Sequence, residues 1–305
     1  MLDFQDQLRS WGPLSNATAP HRQAAERYCR KLAVGHYENF PVVSWFLPRE
    51  LQQHFFNVYA YCRWADDLGD ETGDPQRSLE LLAWWSDELQ QCYRGQCRHP
   101  VFVALQATID EFEIPPEPFR DLISAFQQDQ TVRDYSTFLE LRDYCRRSAD
   151  PVGRLVLYLC RLLRPETVAW SDSICTGLQL ANFWQDVARD ADLGRCYLPR
   201  ADRERFGYSD ADLAARLTSR AFVELLEFEV ARARDFLQSG LPLVRVLPRQ
   251  LRIDIELFAR GGLCILDKIE SQGCRVWERR PKITKWEAAG LVAGCWWRSF
   301  RHPAP

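Results

Sequence analysis

Four carboxylates carry the first chemical signal in this chain. Asp66 and Asp70 close the stretch Tyr59-Ala60-Tyr61-Cys62-Arg63-Trp64-Ala65-Asp66-Asp67-Leu68-Gly69-Asp70, and Asp186 and Asp190 repeat the spacing in Gln179-Leu180-Ala181-Asn182-Phe183-Trp184-Gln185-Asp186-Val187-Ala188-Arg189-Asp190. On a helix, residues at i and i+4 project from one face, where two like charges repel unless a cation lies between them. Each pair follows an apolar and aromatic stretch, and a buried helix end does not tolerate acids without partners. For either cluster alone a solvated acidic turn is the competing reading. Its recurrence far downstream favours a site. Two helices offering such pairs into one cavity make an oxygen-rich site suited to Mg²⁺, which keeps several waters and binds a few carboxylates together with substrate phosphate oxygens. A diphosphate is the matching ligand.

The elements that must position these acids read as helices. Leu51 to Ala65 leads into the first cluster, and a helix beginning beyond Pro165 and running to about Arg189 carries the second. Around them the periodicity predicts helices over Ser15 to Ala33 and Val42 to Leu47, from the turn Thr72-Gly73-Asp74-Pro75 to Arg94, and over Pro100 to Phe112, Pro116 to about Thr131 and Thr137 to Leu163. Pro151 and Gly153 are expected to kink the last of these. A loop from Ala191 to Phe206 precedes long helices over Asp210 to Leu237 and Pro248 to Glu270, and a final one spans Thr284 to Trp297. No run alternates at period two, so the fold class is all-α, expected as a single domain with a lead over residues 1–14 and a tail over 298–305.

Composition narrows the function classes. In 305 residues the formal net charge is −3, which argues against a nucleic-acid partner. Lysine occurs only at Lys31, Lys268, Lys282 and Lys285, so nearly all positive charge is guanidinium, a good phosphate ligand. The 11 cysteines lack zinc or CxxC spacing and read as small apolar residues in a reducing compartment. Met1 to Asp6 has no secretory character, and Ala288 to Trp297 is too short to span a bilayer. The expected location is cytoplasmic, with peripheral contact to the membrane surface through the basic and aromatic segment Arg275 to Arg301 and to neighbouring pathway enzymes.

These motifs, with Glu38-Asn39-Phe40-Pro41-Val42 and Ser148-Ala149-Asp150-Pro151-Val152-Gly153-Arg154-Leu155, resemble the squalene/phytoene synthase family of head-to-head prenyl transferases over most of the chain. Within it the wording is most similar to the hydroxysqualene synthases of the bacterial hopanoid pathway. The resemblance implies an isoprenoid-synthase-type helical bundle around a central cavity. It also implies Mg²⁺ held against the diphosphate by Asp66, Asp70, Asp186 and Asp190. By the same resemblance Tyr59 and Arg63 line the diphosphate site, Gln179 and Asn182 are polar positions on the second helix, and Arg195 and Tyr197 close over the phosphate end. Tyr144 lies near the reacting carbons, and Phe40, Tyr144, Phe183 and Trp184 are candidates to shelter a cation. Singly, each has a plainer reading: the arginines neutralise acids, the amides cap backbone and Tyr144 is packing.

One departure bears on the reaction. Where several relatives carry His-Ser-x-Ser-Phe, this chain has His36-Tyr37-Glu38-Asn39-Phe40, losing two hydroxyls and gaining an acid. An enzyme joining two farnesyl diphosphates needs a second diphosphate place there, whereas one starting from presqualene diphosphate does not. Gln185, in place of an arginine, points the same way. The expected activity is Mg²⁺-dependent ionisation of presqualene diphosphate, rearrangement and water capture to give hydroxysqualene, without NADPH. Another head-to-head synthase is the nearest alternative. A non-catalytic helical assembly factor is the alternative from a different class, and the retention of all four aspartates with Arg63 and Arg195 argues against it.

Overall fold

A computed structural model of the chain describes residues 3–35 and 49–301. Among them no strand forms, and a single-residue parallel bridge joins Asp134 to Cys196. In chain order the helices are α1 (Phe4–Trp11), α2 (Arg22–Gly35), α3 (Arg49–Asp70), α4 (Pro75–Tyr93), α5 (Pro100–Phe112), α6 (Glu117–Gln128), α7 (Phe138–Ser148), α8 (Asp150–Leu159), α9 (Pro165–Asp192), α10 (Arg200–Arg205), α11 (Asp210–Ala214), α12 (Arg220–Gly240), α13 (Leu243–Val246), α14 (Arg249–Ser271) and α15 (Lys285–Arg301). Phe40, the rest of the His36–Phe40 segment and the helix expected over Val42 to Leu47 lie outside the described residues. The chain divides into two compact units: Met1–Thr131 with Arg154–Leu163, and Val132–Gly153 with Arg164–Pro305. Among the described residues no helix is long and apolar enough to cross a membrane, and every cysteine is a free thiol.

The first unit is built on α3. Tyr61, Trp64, Ala65 and Leu68 of its inner face are buried to 1% exposure or less, each large side chain stabilising the fold by about 1.5–3 kcal/mol. Trp64 stacks on Trp85 of α4 with ring centroids 5.4 Å apart, and its indole N–H donates to the Tyr28 hydroxyl of α2 at 2.9 Å. Asn57, two turns before Trp64, donates to Ala104 O and Thr108 Oγ1 of α5, both at 3.0 Å. Thus three neighbours fix the rotation of α3 and the direction in which its last turn points. His99 lies against this aromatic cluster, 4.5 Å from the Trp64 ring, and burial keeps its pKa well below the ordinary value, so it is neutral. Its Nδ1 accepts the Val101 N–H and caps α5, which places the proton on Nε2 among the indole rings.

The second unit is built on α9, whose 28 residues extend about 42 Å. It lies along α12 at close range: a Cβ on Gly177 would come within 2.9 Å of the Leu237 backbone nitrogen. Trp184 is fully buried, with its N–H donating to Glu229 O at 3.1 Å. Gly153 serves the same close packing, since a Cβ there would collide with Ser171 Oγ and lie 2.6 Å from Cys175 Sγ.

Several boundaries differ from the sequence expectation, and the stretch expected as a loop from Ala191 to Phe206 contains the short helix α10. The helix expected from Ser15 begins at Arg22, after Pro20, with His21 Nδ1 accepting the Ala24 N–H. The helix expected to kink at Pro151 breaks into α7 and α8, because proline supplies no N–H and crowds the preceding turn. Asp150 holds the break: its buried carboxylate accepts from Arg142 at 2.9 Å and from Thr176 at 2.8 Å. The helix expected from Asp210 to Leu237 is α11 and α12, parted by Arg216 in the left-handed region and restarted by the Ser219 cap. The lead also holds order, since α1 buries Phe4 and Gln7.

Candidate active site

The last three turns or so of α3 present Tyr59, Arg63, Asp66 and Asp70 along one side of the helix. Arg63 is the hub. Its Nη1 donates to Asp66 Oδ2 at 3.1 Å, while Nη2 pairs with Asp67 Oδ1 and lies 3.5 Å from Glu71. Burial pushes the Asp66 carboxyl up to about 6, with repulsion from Asp70 adding and Arg63 opposing. Although 42% of that side chain meets solvent, the protein around it still strips hydration from its charge. Asp67, which is buried, is pushed up to about 7 by burial against the pull of Arg63. Tyr59 is half-buried, and burial raises its pKa too. This group holds more negative charge than its one arginine offsets.

The end of α9 repeats the theme. Asp186 is nearly buried and accepts a two-pronged fork from Arg280, with Nη2 to Oδ2 at 2.9 Å and Nε paired to Oδ1. Arg189 stands 3.6 Å from the same carboxylate. Asp190, one turn on, is pushed up to about 7, chiefly by burial and then by Asp186, with Arg195, Arg189 and Arg280 pulling the other way. Gln179 is half-buried and Asn182 exposed on α9, earlier along the helix. Gln185 donates from Nε2 to Pro281 O at 2.7 Å, tying down the segment that carries Arg280.

The loop after α9 folds back on residues 133–136 through Cys196 N to Arg133 O (2.7 Å) and Arg200 N to Tyr135 O (2.9 Å). That docking sets Tyr197 face to face on Phe183, with centroids 3.8 Å apart, and Tyr135 and Tyr144 complete a four-ring cluster. Beside it lies a cavity of about 280 Å³ whose lining includes Phe183, Tyr197 and Trp277 with Asp190, Arg195 and Arg216. The apolar part of this lining is joined by two acids, Asp190 and Asp210, and two arginines.

A divalent cation fits these residues in kind. The donors are carboxylate oxygens, the pairs repel within themselves, and burial makes the bare charge costly. Among the described residues no three acidic, His or Cys side chains surround one point. Two carboxylates for each helix suit an ion that takes its remaining oxygens from water and phosphate.

The profile of the squalene/phytoene synthase family matches residues 33–287, a span that contains both acid pairs. The chain belongs to this family. It is 34% identical over 248 residues to a hydroxysqualene synthase of Sinorhizobium fredii, covering 79% of this chain and 81% of the relative. A phytoene synthase of Arthrospira platensis is 30% identical over 283 residues, covering 88% and 92%. Among solved structures, the squalene synthase HpnC from Alicyclobacillus acidocaldarius superposes with a TM-score of 0.78 at 44% identity, covering 82% of this chain and 95% of that one. As in that structure, the fold is an all-helical one of the squalene-synthase type.

Two residues in contact with the candidates escaped the sequence reading. Arg280 lies ninety-four residues from its partner Asp186, in Arg279-Arg280-Pro281, with no spacing signal to link them. Tyr135 joins the ring cluster only because the loop after α9 docks on its backbone. The sequence-derived candidates form two groups, one in each unit: Tyr59, Arg63, Asp66 and Asp70, and then Tyr144, Gln179, Asn182, Asp186, Asp190, Arg195 and Tyr197.

Proposed function

We propose that this protein converts presqualene diphosphate and water to hydroxysqualene and diphosphate, with Mg²⁺ and without NADPH. The observation that carries the reading is that a desolvated aspartate stands beside an arginine at the end of both α3 and α9. The relatives support the choice of step: two hydroxysqualene synthases at 34% identity and a squalene synthase structure at 44%. The enzyme class is that of the family, which supports an isoprenoid diphosphate substrate.

Asp66 with Asp70, and Asp186 with Asp190, are the carboxylates that would hold Mg²⁺. When bound, the ion supplies Lewis-acid neutralisation of a leaving diphosphate. The chain's own cations act in the same direction: Arg63, Arg195 and Arg280 are fixed guanidiniums whose donors meet charge as it develops on phosphate oxygens. The carbon–oxygen bond breaks with its electron pair leaving on diphosphate, and the remaining cation is a cyclopropylcarbinyl species. The faces of Tyr197, Phe183 and Tyr144 offer it a π surface and exclude bulk water while it rearranges. Water then adds through oxygen and gives up a proton, which balances the reaction without a hydride donor.

The test is one incubation of the purified protein with presqualene diphosphate and Mg²⁺, NADPH omitted. Hydroxysqualene is the expected product. Efficient conversion of two farnesyl diphosphates to presqualene diphosphate would move the protein to the first step and overturn this reading. A second reading, phytoene synthesis, is favoured by the 30% identity that covers 88% of the chain. Product profiling with longer prenyl diphosphates separates the two. We also propose that the protein visits the membrane surface from the cytoplasm, since α15 carries Trp286, Trp296 and Trp297 with more than half of each side chain in solvent.

A further inference from the structure

A second cationic recess lies in the α9 unit, away from the aspartates. It has a volume of about 350 Å³ and is formed by the end of α12, by α13, by the start of α14 and by Arg298 of α15. Gly240, at the end of α12, packs on Trp170 and Ile174 near the beginning of α9. Asp190 is sixteen residues beyond Ile174, about 24 Å along the helix at 1.5 Å per residue.

Four arginines line the recess, Arg245, Arg252, Arg260 and Arg298, against a single acid, Glu256. Four positive charges less one negative charge leave a formal excess of +3. Glu256 is buried, and its Oε1 accepts from both Arg260 Nε at 2.7 Å and Arg298 Nε at 2.6 Å. Both contacts use Nε, so that oxygen engages no Nη group of Arg260 or of Arg298, whose Nη2 donates to Cys295 Sγ at 3.4 Å. Arg252 is buried and donates to the carbonyls of Arg245 at 3.1 Å and Leu247 at 3.4 Å, which holds it in the first turn of α14. The positive end of the α14 dipole adds to the same field. Guanidiniums gathered in a recess with one shared carboxylate repel one another, and an anion with several oxygens relieves that repulsion best.

We propose that this recess is a binding site for a phosphate-bearing anion, independent of the aspartate pairs. The shared chemistry is a phosphate group, delivered either free in solution or as a lipid headgroup. The half-exposed Trp296 and Trp297, on the same helix as Arg298, make the headgroup a source to be tested.

The experiment uses the full chain in EDTA, so that no metal ion can bridge pyrophosphate to the aspartate pairs. One arm is calorimetric titration with inorganic pyrophosphate, and the other is flotation with vesicles containing phosphatidylglycerol. The variants are Arg245→Glu and Arg260→Gln, with Arg220→Glu as control, a residue of α12 outside the recess whose side chain is 92% exposed. One-site pyrophosphate binding that weakens about tenfold or more in both recess variants, and not in the control, supports a soluble phosphate source. Vesicle binding alone, with the same pattern of loss, supports the headgroup. No binding in either arm overturns the proposal, as does binding that either recess variant leaves unchanged or that the control lowers equally. Because the readout is binding without metal or substrate, its failure is distinct from failure of the proposed reaction.

Discussion

Replacing Asp190 with asparagine should stabilise the protein and destroy its activity. The carboxyl is pushed from an ordinary 3.8 up to about 7, first by burial and next by Asp186. At about 1.4 kcal/mol per unit, the three-unit rise corresponds to a ceiling of about 4 kcal/mol for holding this charge in the fold above pH 7. The pull of Arg195 is already contained in that rise, and partial solvent contact reduces the figure to about 2 kcal/mol. Asparagine keeps the shape and removes the charge, and the backbone bond from Arg195 N to Asp190 O at 2.8 Å is untouched. In thermal unfolding at pH 8 in EDTA, Asp190→Asn should melt about 4 °C above wild type, since about 2 °C accompanies each kcal/mol in a chain of this size. Most substitutions destabilise, so a gain at a half-buried polar position is diagnostic. With Mg²⁺ and presqualene diphosphate the same variant should show no turnover. A variant no more stable than wild type in EDTA would refute the charge-repulsion reasoning, and near wild-type turnover would refute the metal assignment.

Arg280→Ala should lower kcat by about 10²–10³-fold, the usual effect of losing one fixed donor to developing charge, and Arg280→Lys should recover little because an ammonium cannot reproduce the fork; single-turnover rates decide it, and an unchanged rate would leave Arg280 a purely structural partner of Asp186. Glu229, buried beside Arg232 and Asp202, is pushed up to about 8, chiefly by burial, with Arg232 opposing and Asp202 adding. The folded state therefore holds this proton more tightly than the unfolded chain, so stability is greatest below the ordinary carboxyl pKa and falls as pH rises towards 8. Glu229→Gln should flatten that fall by a few kcal/mol, on the order of 3, in denaturant titrations at pH 5 and pH 8; equal slopes would contradict the assignment. Removing Trp286, 88% exposed on α15, together with Trp297 should reduce flotation with anionic vesicles at low salt; wild-type protein that fails to float there would remove the membrane proposal.

The sequence by itself determined the helical class and the two acid pairs. Both are local: a 3.6-residue pattern and an i, i+4 spacing need no knowledge of the rest of the chain. It also located most of the long helices, because their apolar faces and prolines lie within them. Where it failed, a side chain was acting on a distant part of the chain or on a cap. Asp150 ends one helix and starts another by binding Arg142 and Thr176, and Ser219 restarts α12 after a left-handed residue that the apolar pattern runs straight through. The tertiary structure alone decided that Arg280 reaches Asp186, that Gln185 secures the Arg280 segment, and that three rings from separate stretches, Tyr135, Tyr144 and Phe183, pack around Tyr197. It also decided which acids hold their protons, since a carboxyl's pKa depends on how much protein surrounds it and on charges brought near by folding, and neither quantity is present in the order of the residues.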